Sequence, residues 1–322
     1  MENATESEDP IYRNIHGYLS VIICSIGIML NIVNILAWSR KDTVASDVLL
    51  SALGVTDGFS LLSYLIYSAY FFLITGPGQN MYHSERGMYV VVVGFHSFLT
   101  FHMFSNFLTL SLAIIRYFHV CRGYSKFCET RFSYFIIMFG LIVTVLVALP
   151  FYFYYEIYDL AEESESGYWI MKSDFAREHV YGFQVPLLWI YGVIFKLIPC
   201  VLMIILSGSM VNSIRRAKKR KDQLTNRSIH RKSRRNCMEY NRTTLMLVMI
   251  VVIYVLTETP IAISAFLSGL QRAESHFFYF LLYSTVGDIL DLLTVLNASA
   301  NFFVYITMCT RFRRRIRVIF SG

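Results

Sequence analysis

The stretch HGYLSVIICSIGIMLNIVNILAWS, residues 16–39, contains no Asp, Glu, Lys or Arg. About 20 apolar residues in a helix are enough to cross the hydrocarbon core of a bilayer. Helices are expected because they pair every backbone group within one segment, which lipid requires. Six further predominantly apolar stretches of sufficient length follow, at residues 47–74, 88–120, 132–155, 181–213, 240–270 and 277–310. The sequence therefore predicts an all-α membrane protein built as a seven-transmembrane helix bundle.

The overall composition supports this fold class. The 322 residues are 55% hydrophobic and 16% charged, with a mean hydropathy of +0.49, which lies outside the range of soluble globular proteins. The net charge of +7 does not indicate nucleic-acid binding, because the basic residues lie in the loops between spans. We therefore expect the lipid bilayer to surround the protein and no nucleic-acid partner.

The distribution of Lys and Arg predicts the orientation. With the amino terminus outside, the inner loops and carboxy tail hold 22 of the 29 basic residues. Cytoplasmic loops of membrane proteins carry such an excess. The outer segments carry 13 acidic residues against five basic ones, and an acidic face attracts cationic ligands. We predict a multi-pass protein of the plasma membrane with an extracellular amino terminus.

Three regions follow from this topology. Residues 1–15 form an extracellular tail in which Asn3 is a glycosylation acceptor and in which we expect no signal peptide. Residues 16–310 form the seven-span domain, with a cytosolic loop at 214–239. Residues 311–322 place apolar side chains among arginines, a pattern that predicts an amphipathic helix on the inner membrane surface. The basic run 215–235 is either a solvated loop that enforces topology or a docking surface. No cysteine lies in a predicted outer loop, so we expect no structural disulfide.

Ionisable residues within the spans are the candidate functional residues, because a charge at bilayer depth is costly and normally faces the bundle interior. For each of them the alternative is a side chain that reaches water from a helix end, and this applies most to Asp288. The set is Asp57, Arg116, Lys196, Glu258, Asp288 and Asp291.

Short motifs in six of the seven spans resemble the rhodopsin class (class A) of G-protein-coupled receptors in order and spacing. They are Asn31, Leu53-x-x-x-Asp57, Ser105, Arg116-Tyr117, Pro199, Pro260 and Asn301-x-x-x-Tyr305 followed by Phe312. Within that class, five fragments look like invertebrate myosuppressin and FMRFamide-like neuropeptide receptors, to which the sex-peptide receptors are related. They are Lys196-Leu-Ile-Pro199-Cys200, Arg242-Thr-Thr, Leu256-Thr-Glu258-x-Pro260, Gly287-Asp288-Ile-x-Asp291 and Asn297-x-x-x-Asn301-Phe302.

The resemblance implies a receptor for an extracellular, amidated FMRFamide-like or myosuppressin-like peptide. It also implies a heterotrimeric G protein and an arrestin as intracellular partners, and no enzymatic activity. The implied roles are ligand binding by Phe98, His102, Lys196, Glu258, Asp288 and Asp291; a core network of Asn31, Asp57, Ser105, Asn297 and Asn301; G-protein coupling by Arg116, Tyr117 and Tyr305; and helix switching at Pro199 and Pro260. The core network is either a sodium site, since oxygen ligands suit a hard cation, or a water-filled hydrogen-bond network without an ion. No other cofactor is expected.

The chain also departs from the class pattern. Ile115 replaces the acid that normally precedes the arginine of span three, and Glu258 takes the position of the tryptophan in span six. Val91 stands where the class has a cysteine, and residues 155–181 contain no cysteine either. The covalent tether of the second outer loop is therefore expected to be missing.

Other function classes fit less well. An opsin needs a lysine where Val295 stands, and an amine receptor needs an aspartate where Phe98 stands. A seven-span channel or transporter remains the alternative, although no internal repeat supports it. A membrane enzyme lacks a metal-ligand motif, and His96 and His102 are more simply pocket or core histidines.

Two pairings are predicted inside the bundle. Glu258 needs a cation or a proton if buried, and Lys196 is the candidate cation with His102 as a hydrogen-bond partner. The alternative is a neutral Glu258 with Lys196 directed elsewhere. Asp288 and Asp291 lie one turn apart, and a carboxylate there would pair with an arginine of the ligand.

Overall fold

A computed structural model describes residues 10–39, 44–74, 84–122, 129–159, 168–224, 245–246, 248–263 and 277–320. The helices are α1 Pro10–Trp38, α2 Ala45–Ser68, α3 Glu85–Tyr117, α4 Thr130–Tyr152, α5 Asp174–Glu178, α6 Val185–Trp189, α7 Ile198–Leu224, α8 Val248–Ile263, α9 Phe277–Met308 and α10 Thr310–Phe320. Wide π-helical turns at Ala69–Ile74 and Phe118–Arg122 extend α2 and α3, and two more, Val180–Gln184 and Ile190–Leu197, join α5, α6 and α7. The strands are β1 Tyr155–Asp159 and β2 Tyr168–Lys172.

The predicted helical membrane bundle is confirmed. Six helical segments of the described chain are long and apolar enough to cross a bilayer, and α8 is a shorter apolar helix in the position of the sixth span. Many side chains on α1 and α4 are large, apolar and exposed, among them Met29, Phe135 and Leu146. Such surfaces on membrane-length helices are suited to contact with lipid. The protein is therefore a multi-pass membrane protein.

Several element bounds differ from the predicted ones. α1 begins at Pro10, so residues 10–15 of the predicted tail are helical. Proline suits the first turn of a helix because its missing N–H would have no partner there. α7 continues to Leu224, into the predicted loop at 214–239. The rest of that loop and Asn3 lie outside the described residues.

Close contact between α1, α2 and α9 organises one side of the bundle. Gly27 on α1 permits it, because a Cβ there would lie 2.2 Å from Oγ of Ser299 and 2.8 Å from Cδ1 of Leu61. One turn further, Nδ2 of Asn31 donates to the carbonyl of Ala298 at 3.0 Å. α3 is the most buried span. The candidate residues on these helices are thus held in a tightly packed frame.

A two-stranded antiparallel hairpin follows α4, and the sequence prediction did not include it. Tyr155 of β1 lies opposite Lys172 of β2, and Asp159 lies opposite Tyr168. We call this end of the bundle the hairpin end and the opposite end, which carries α10, the α10 end. The hairpin contacts the start of α3 and therefore covers part of the hairpin end.

Candidate functional site

The pair of Lys196 and Glu258 lies in the middle of the bundle. Lys196 belongs to the wide-turn segment Ile190–Leu197 and lies three residues before Pro199, and Glu258 lies two residues before Pro260 on α8. Both side chains are 0% exposed, and Nζ of Lys196 donates to Oε2 of Glu258. The ammonium also lies 5.4 Å from the ring centroid of Tyr191. The predicted pairing of these two residues is thus present in the structure.

His102 on α3 completes this charged cluster. Its Nε2 lies 3.0 Å from Oε1 of Glu258 and 3.2 Å from Nδ2 of Asn106. Each ring nitrogen of histidine carries either a proton or a lone pair. Nε2 can therefore donate to the carboxylate of Glu258 only in a form in which Nε2 carries the proton. Phe98 is 1% exposed and stacks on His102 with 6.1 Å between ring centroids. Phe98 therefore supports the imidazole from one side.

Asp288 and Asp291 on α9 have different surroundings. The hydroxyl of Tyr12 is hydrogen-bonded to Asp288, and the charge of Arg13 lies nearby. Asp291 is half-buried and makes no hydrogen bond or ion pair to any other residue that the structure describes. The charges that act on it are those of Asp288 and Lys196. Of the two carboxylates, Asp291 is the one without a close protein partner in the described part of the chain.

Asp57 forms the core of a second polar cluster nearer the α10 end. One carboxylate oxygen accepts from Oγ of Ser105 at 2.6 Å, and the other accepts from Nδ2 of Asn301 at 2.9 Å. Asn31 instead joins α1 to α9, and Asn297 is half-buried without a hydrogen bond to this carboxylate. Three of the five predicted network residues are therefore in direct contact.

This oxygen-rich cluster fits a monovalent hard cation better than a divalent one. Asp57 supplies one carboxylate, and the hydroxyl of Ser105 keeps acceptor lone pairs while it donates. Within the described residues, no group of three or more His, Cys, Asp or Glu side chains is placed to hold a metal ion. A site rich in carboxylates is thus absent from this part of the chain.

The predicted coupling residues lie near the α10 end. Arg116 and Tyr117 are half-buried at the end of α3, whereas Tyr305 is 1% exposed. The ring of Tyr305 packs against Trp38 at 5.5 Å and Phe312 at 5.4 Å between centroids. Ile115 is buried in the same apolar cluster, where a carboxylate would lack water. This explains how the chain accommodates the missing acid before Arg116.

An ion cluster around Asp47 was not predicted from the sequence. Asp47, in the first turn of α2, lies 3.0 Å from an amino nitrogen of Arg311 and 2.9 Å from one of Arg315. Arg315 also donates to the carbonyl of Ala37, in the last turn of α1, at 3.2 Å. The sequence pattern that could have revealed this cluster is the spacing of the two arginines by four residues, which puts them on one face of a helix. The cluster fixes α10 to α1 and α2.

Gln184 is a second residue that sequence reasoning missed. It is 4% exposed at the start of the fifth span, and its Oε1 accepts from the hydroxyl of Tyr154 and from Nζ of Lys172, both at 3.4 Å. Its Nε2 donates to the carbonyl of Ala176. These contacts join both sides of the hairpin to the fifth span.

The four cysteines in the described part of the chain, Cys24, Cys121, Cys200 and Cys309, are unpaired, and Cys128 and Cys237 lie outside it. Gln184 therefore supplies a non-covalent tether.

Asp174 forms an exposed network beside the hairpin. It accepts hydrogen bonds from the hydroxyl of Tyr158, at 2.9 Å, and from Arg177. These two bonds hold the pKa of Asp174 below its usual range. Burial lowers the pKa of the nearby Lys172. Arg177 is thus paired with Asp174, and Lys172 is hydrogen-bonded to Gln184.

Comparisons with known proteins agree with this architecture. The family model described as "Serpentine type 7TM GPCR chemoreceptor Srw" matches residues 18–322. The chain is similar to "G-protein coupled receptor dmsr-1" of Caenorhabditis elegans, with 24% identity over an alignment of 352 residues that covers 96% of the chain and 68% of that receptor. It is also similar to "Sex peptide receptor" of Drosophila melanogaster, with 27% identity over 238 residues that cover 69% of the chain and 52% of that receptor.

The family match decides between the function classes left open by the sequence. It covers nearly the whole chain and all seven helical regions, and it favours a receptor over the channel, transporter or enzyme alternatives. The chain belongs to the Srw family of serpentine seven-transmembrane G-protein-coupled chemoreceptors.

Proposed function

We propose that the protein is a class A-like receptor for a neuropeptide with an amidated carboxy terminus of the FMRFamide-like or myosuppressin-like kind. The hairpin end and the amino terminus face the extracellular side of the plasma membrane, as the distribution of Lys and Arg favours. Binding of the peptide activates a heterotrimeric G protein at the α10 end, and arrestin is a second partner there.

The single observation that carries this proposal is the environment of Asp291. Its carboxylate lies inside the bundle without a partner among the described residues, whereas Glu258 is already paired with Lys196. A guanidinium binds a carboxylate through two parallel hydrogen bonds. A ligand arginine would satisfy Asp291 without displacing Lys196. Asp288, which already accepts from Tyr12, would add attraction at longer range.

The relatives are consistent with a peptide ligand. The name of the Drosophila relative states that it is a receptor for a peptide. The bundle is also unsuited to retinal or to an amine in the usual positions, because Val295 and Phe98 are both buried in one apolar cluster. Neither residue can supply an amine or a carboxylate to a ligand.

Transmission to the G protein would pass through the two polar clusters. Ligand contact at Asp291 changes the field at Lys196, whose pairing with Glu258 connects the segment before Pro199 with α8. Movement of α8 about Pro260 would then open a crevice lined by Arg116, Tyr117 and Tyr305 for the carboxy-terminal helix of Gα. A sodium ion held by Asp57 and Ser105 would stabilise the resting arrangement.

The test compares two matched variants with two matched peptides. Asp291→Asn and Asp288→Asn are assayed for G-protein activation by an amidated Arg-Phe peptide and by its citrulline analogue. Loss of a charge-assisted contact costs about 1.5–3 kcal/mol, or about 10- to 150-fold in potency. We expect this loss for Asp291→Asn with the arginine peptide alone, and a smaller loss for Asp288→Asn. If Asp291→Asn weakened both peptides equally, the carboxylate would not be the partner of the arginine.

A further inference from the structure

A groove of about 630 Å³ lies outside the bundle at its hairpin end. Its walls come from the end of α4, the hairpin, α5 and the first turn of the fifth span. The residues used below are Leu149, Pro150, Phe153, Glu156, Phe175 and Phe183. The volume lies within the range of small-molecule sites, so the groove is large enough to hold part of a lipid.

The groove is separate from the proposed peptide site. It shares no lining residue with the six predicted ligand-binding residues. Between the groove and α3, the rings of Tyr152 and Tyr155 pack on His96 with 5.1 and 5.8 Å between centroids. The two tyrosines thus form a partition, and an occupant of the groove would approach from the side of the protein rather than from the centre of the bundle.

The apolar residues of the groove belong at the boundary of the membrane. Leu149, Phe153 and Phe175 are 51%, 63% and 54% exposed, although each is large and apolar. Aromatic residues concentrate at the level of the lipid headgroups, and α4 ends here while the polar hairpin begins. The lower part of the groove therefore faces acyl chains, and its rim faces headgroups.

Glu156 gives this rim a negative charge. It is exposed on β1 and forms no ion pair with any residue that the structure describes. Two basic side chains of the hairpin and α5 are engaged elsewhere, since Lys172 donates to Gln184 and Arg177 to Asp174. No Lys or Arg is among the described residues that line the groove. Among these residues an anionic headgroup would find no cation, whereas a cationic one would find a carboxylate.

Aromatic rings line the same groove as that carboxylate. Phe175 and Phe183 form an edge-to-face pair with 5.2 Å between centroids, and Phe153 lies on the same groove. A carboxylate beside aromatic faces is the chemistry that recognises a quaternary ammonium group. We propose that this groove binds a phosphatidylcholine of the outer leaflet. Its choline group lies at Glu156 and the aromatic rim, and the upper part of one acyl chain lies against Leu149 and Pro150. The assignment to the outer leaflet rests on the orientation proposed above.

The experiment uses the full chain in nanodiscs of phosphatidylcholine, phosphatidylethanolamine or phosphatidylglycerol with identical acyl chains. Native mass spectrometry counts the lipids retained after detergent transfer, and a photoactivatable phosphatidylcholine locates them by crosslinking. The test variants are Glu156→Gln, which removes the charge and keeps the shape of the side chain, and Phe175→Leu, which removes the ring and keeps an apolar side chain. The matched controls are Glu129→Gln and Phe135→Leu, which change an exposed carboxylate and an exposed ring near the opposite end of α4.

We expect preferential retention of phosphatidylcholine, with crosslinks to residues 149–156 and 173–183. Each test variant should lower that retention about two- to tenfold, as the loss of a cation–π or carboxylate contact implies, and the controls should not. Peptide potency should stay unchanged in Glu156→Gln, so this result is separable from the proposed peptide site. Equal retention of all three lipids, preference for another headgroup, crosslinks elsewhere or equal loss in the controls would each overturn the proposal.

Discussion

The coupling between Lys196 and Glu258 gives the sharpest prediction about the bundle interior. Both side chains are 0% exposed and in contact, and Nε2 of His102, 3.0 Å from Glu258, is the remaining polar neighbour of the carboxylate. Lys196→Met leaves the carboxylate with the imidazole alone. Glu258→Gln leaves the ammonium facing a neutral amide and the ring of Tyr191. Removing one partner of a buried pair costs about 3–5 kcal/mol.

The double variant should be much better tolerated than either single variant. Independent losses would sum to about 6–10 kcal/mol, whereas a Met–Gln pair of similar volume leaves no charge to bury and should cost about 2 kcal/mol or less. We therefore expect surface expression and the denaturation half-life to fall in both single variants and to recover in the double variant. Peptide potency should remain impaired in the double variant, because the proposed link between the fifth span and α8 is lost. Strictly additive losses of expression and half-life would refute the coupling.

Three further predictions concern the other contacts. If Asp57 holds sodium, sodium should lower agonist affinity in membranes and Asp57→Asn should abolish this effect; insensitivity of the wild type would favour a water network. Asp47→Asn and Arg315→Gln should each shorten the denaturation half-life, because each disrupts a pair whose side chains are 3% and 9% exposed. The double variant should lose less stability than the sum of the two single losses. Full additivity would show that the contact contributes nothing. Gln184→Leu removes three hydrogen bonds worth about 1 kcal/mol each and should accelerate peptide dissociation at least about tenfold, while a reducing agent should have no effect on the wild type. An unchanged dissociation rate would mean that the hairpin does not retain the ligand.

Hydropathy and charge were sufficient to predict the helical bundle, because apolar length is a direct requirement of the bilayer. The start of α1 was misplaced although Pro10 marks it, because the apolar run itself begins only at residue 16. The hairpin was missed because its two strands of five residues are too short for an alternating pattern to stand out.

The contacts of the candidate site were predictable where an unpaired buried charge would cost too much free energy. A buried glutamate needs a cation or a proton, and the family-like spacing from Pro199 and Pro260 indicated which lysine could reach it. The contacts of Asp47 with Arg311 and Arg315 and those of Gln184 were not predictable in this way. They join residues that lie far apart along the chain or in an irregular loop, and they depend on geometry that no local pattern records. The difference between Asp288 and Asp291 likewise arises from Tyr12 on another helix.

The most direct test of the proposed function is a G-protein activation assay of the wild-type chain in transfected cells against a panel of amidated peptides. Arg116→Gln, which we expect to be expressed and to bind ligand without coupling, serves as a control, and mock-transfected cells serve as the baseline. We predict a concentration-dependent response to peptides that end in Arg-Phe-amide, a much weaker response to their citrulline or free-acid forms, and none through Arg116→Gln. A well-expressed receptor that ignored every amidated peptide, or that responded equally to the arginine and citrulline forms, would contradict the account.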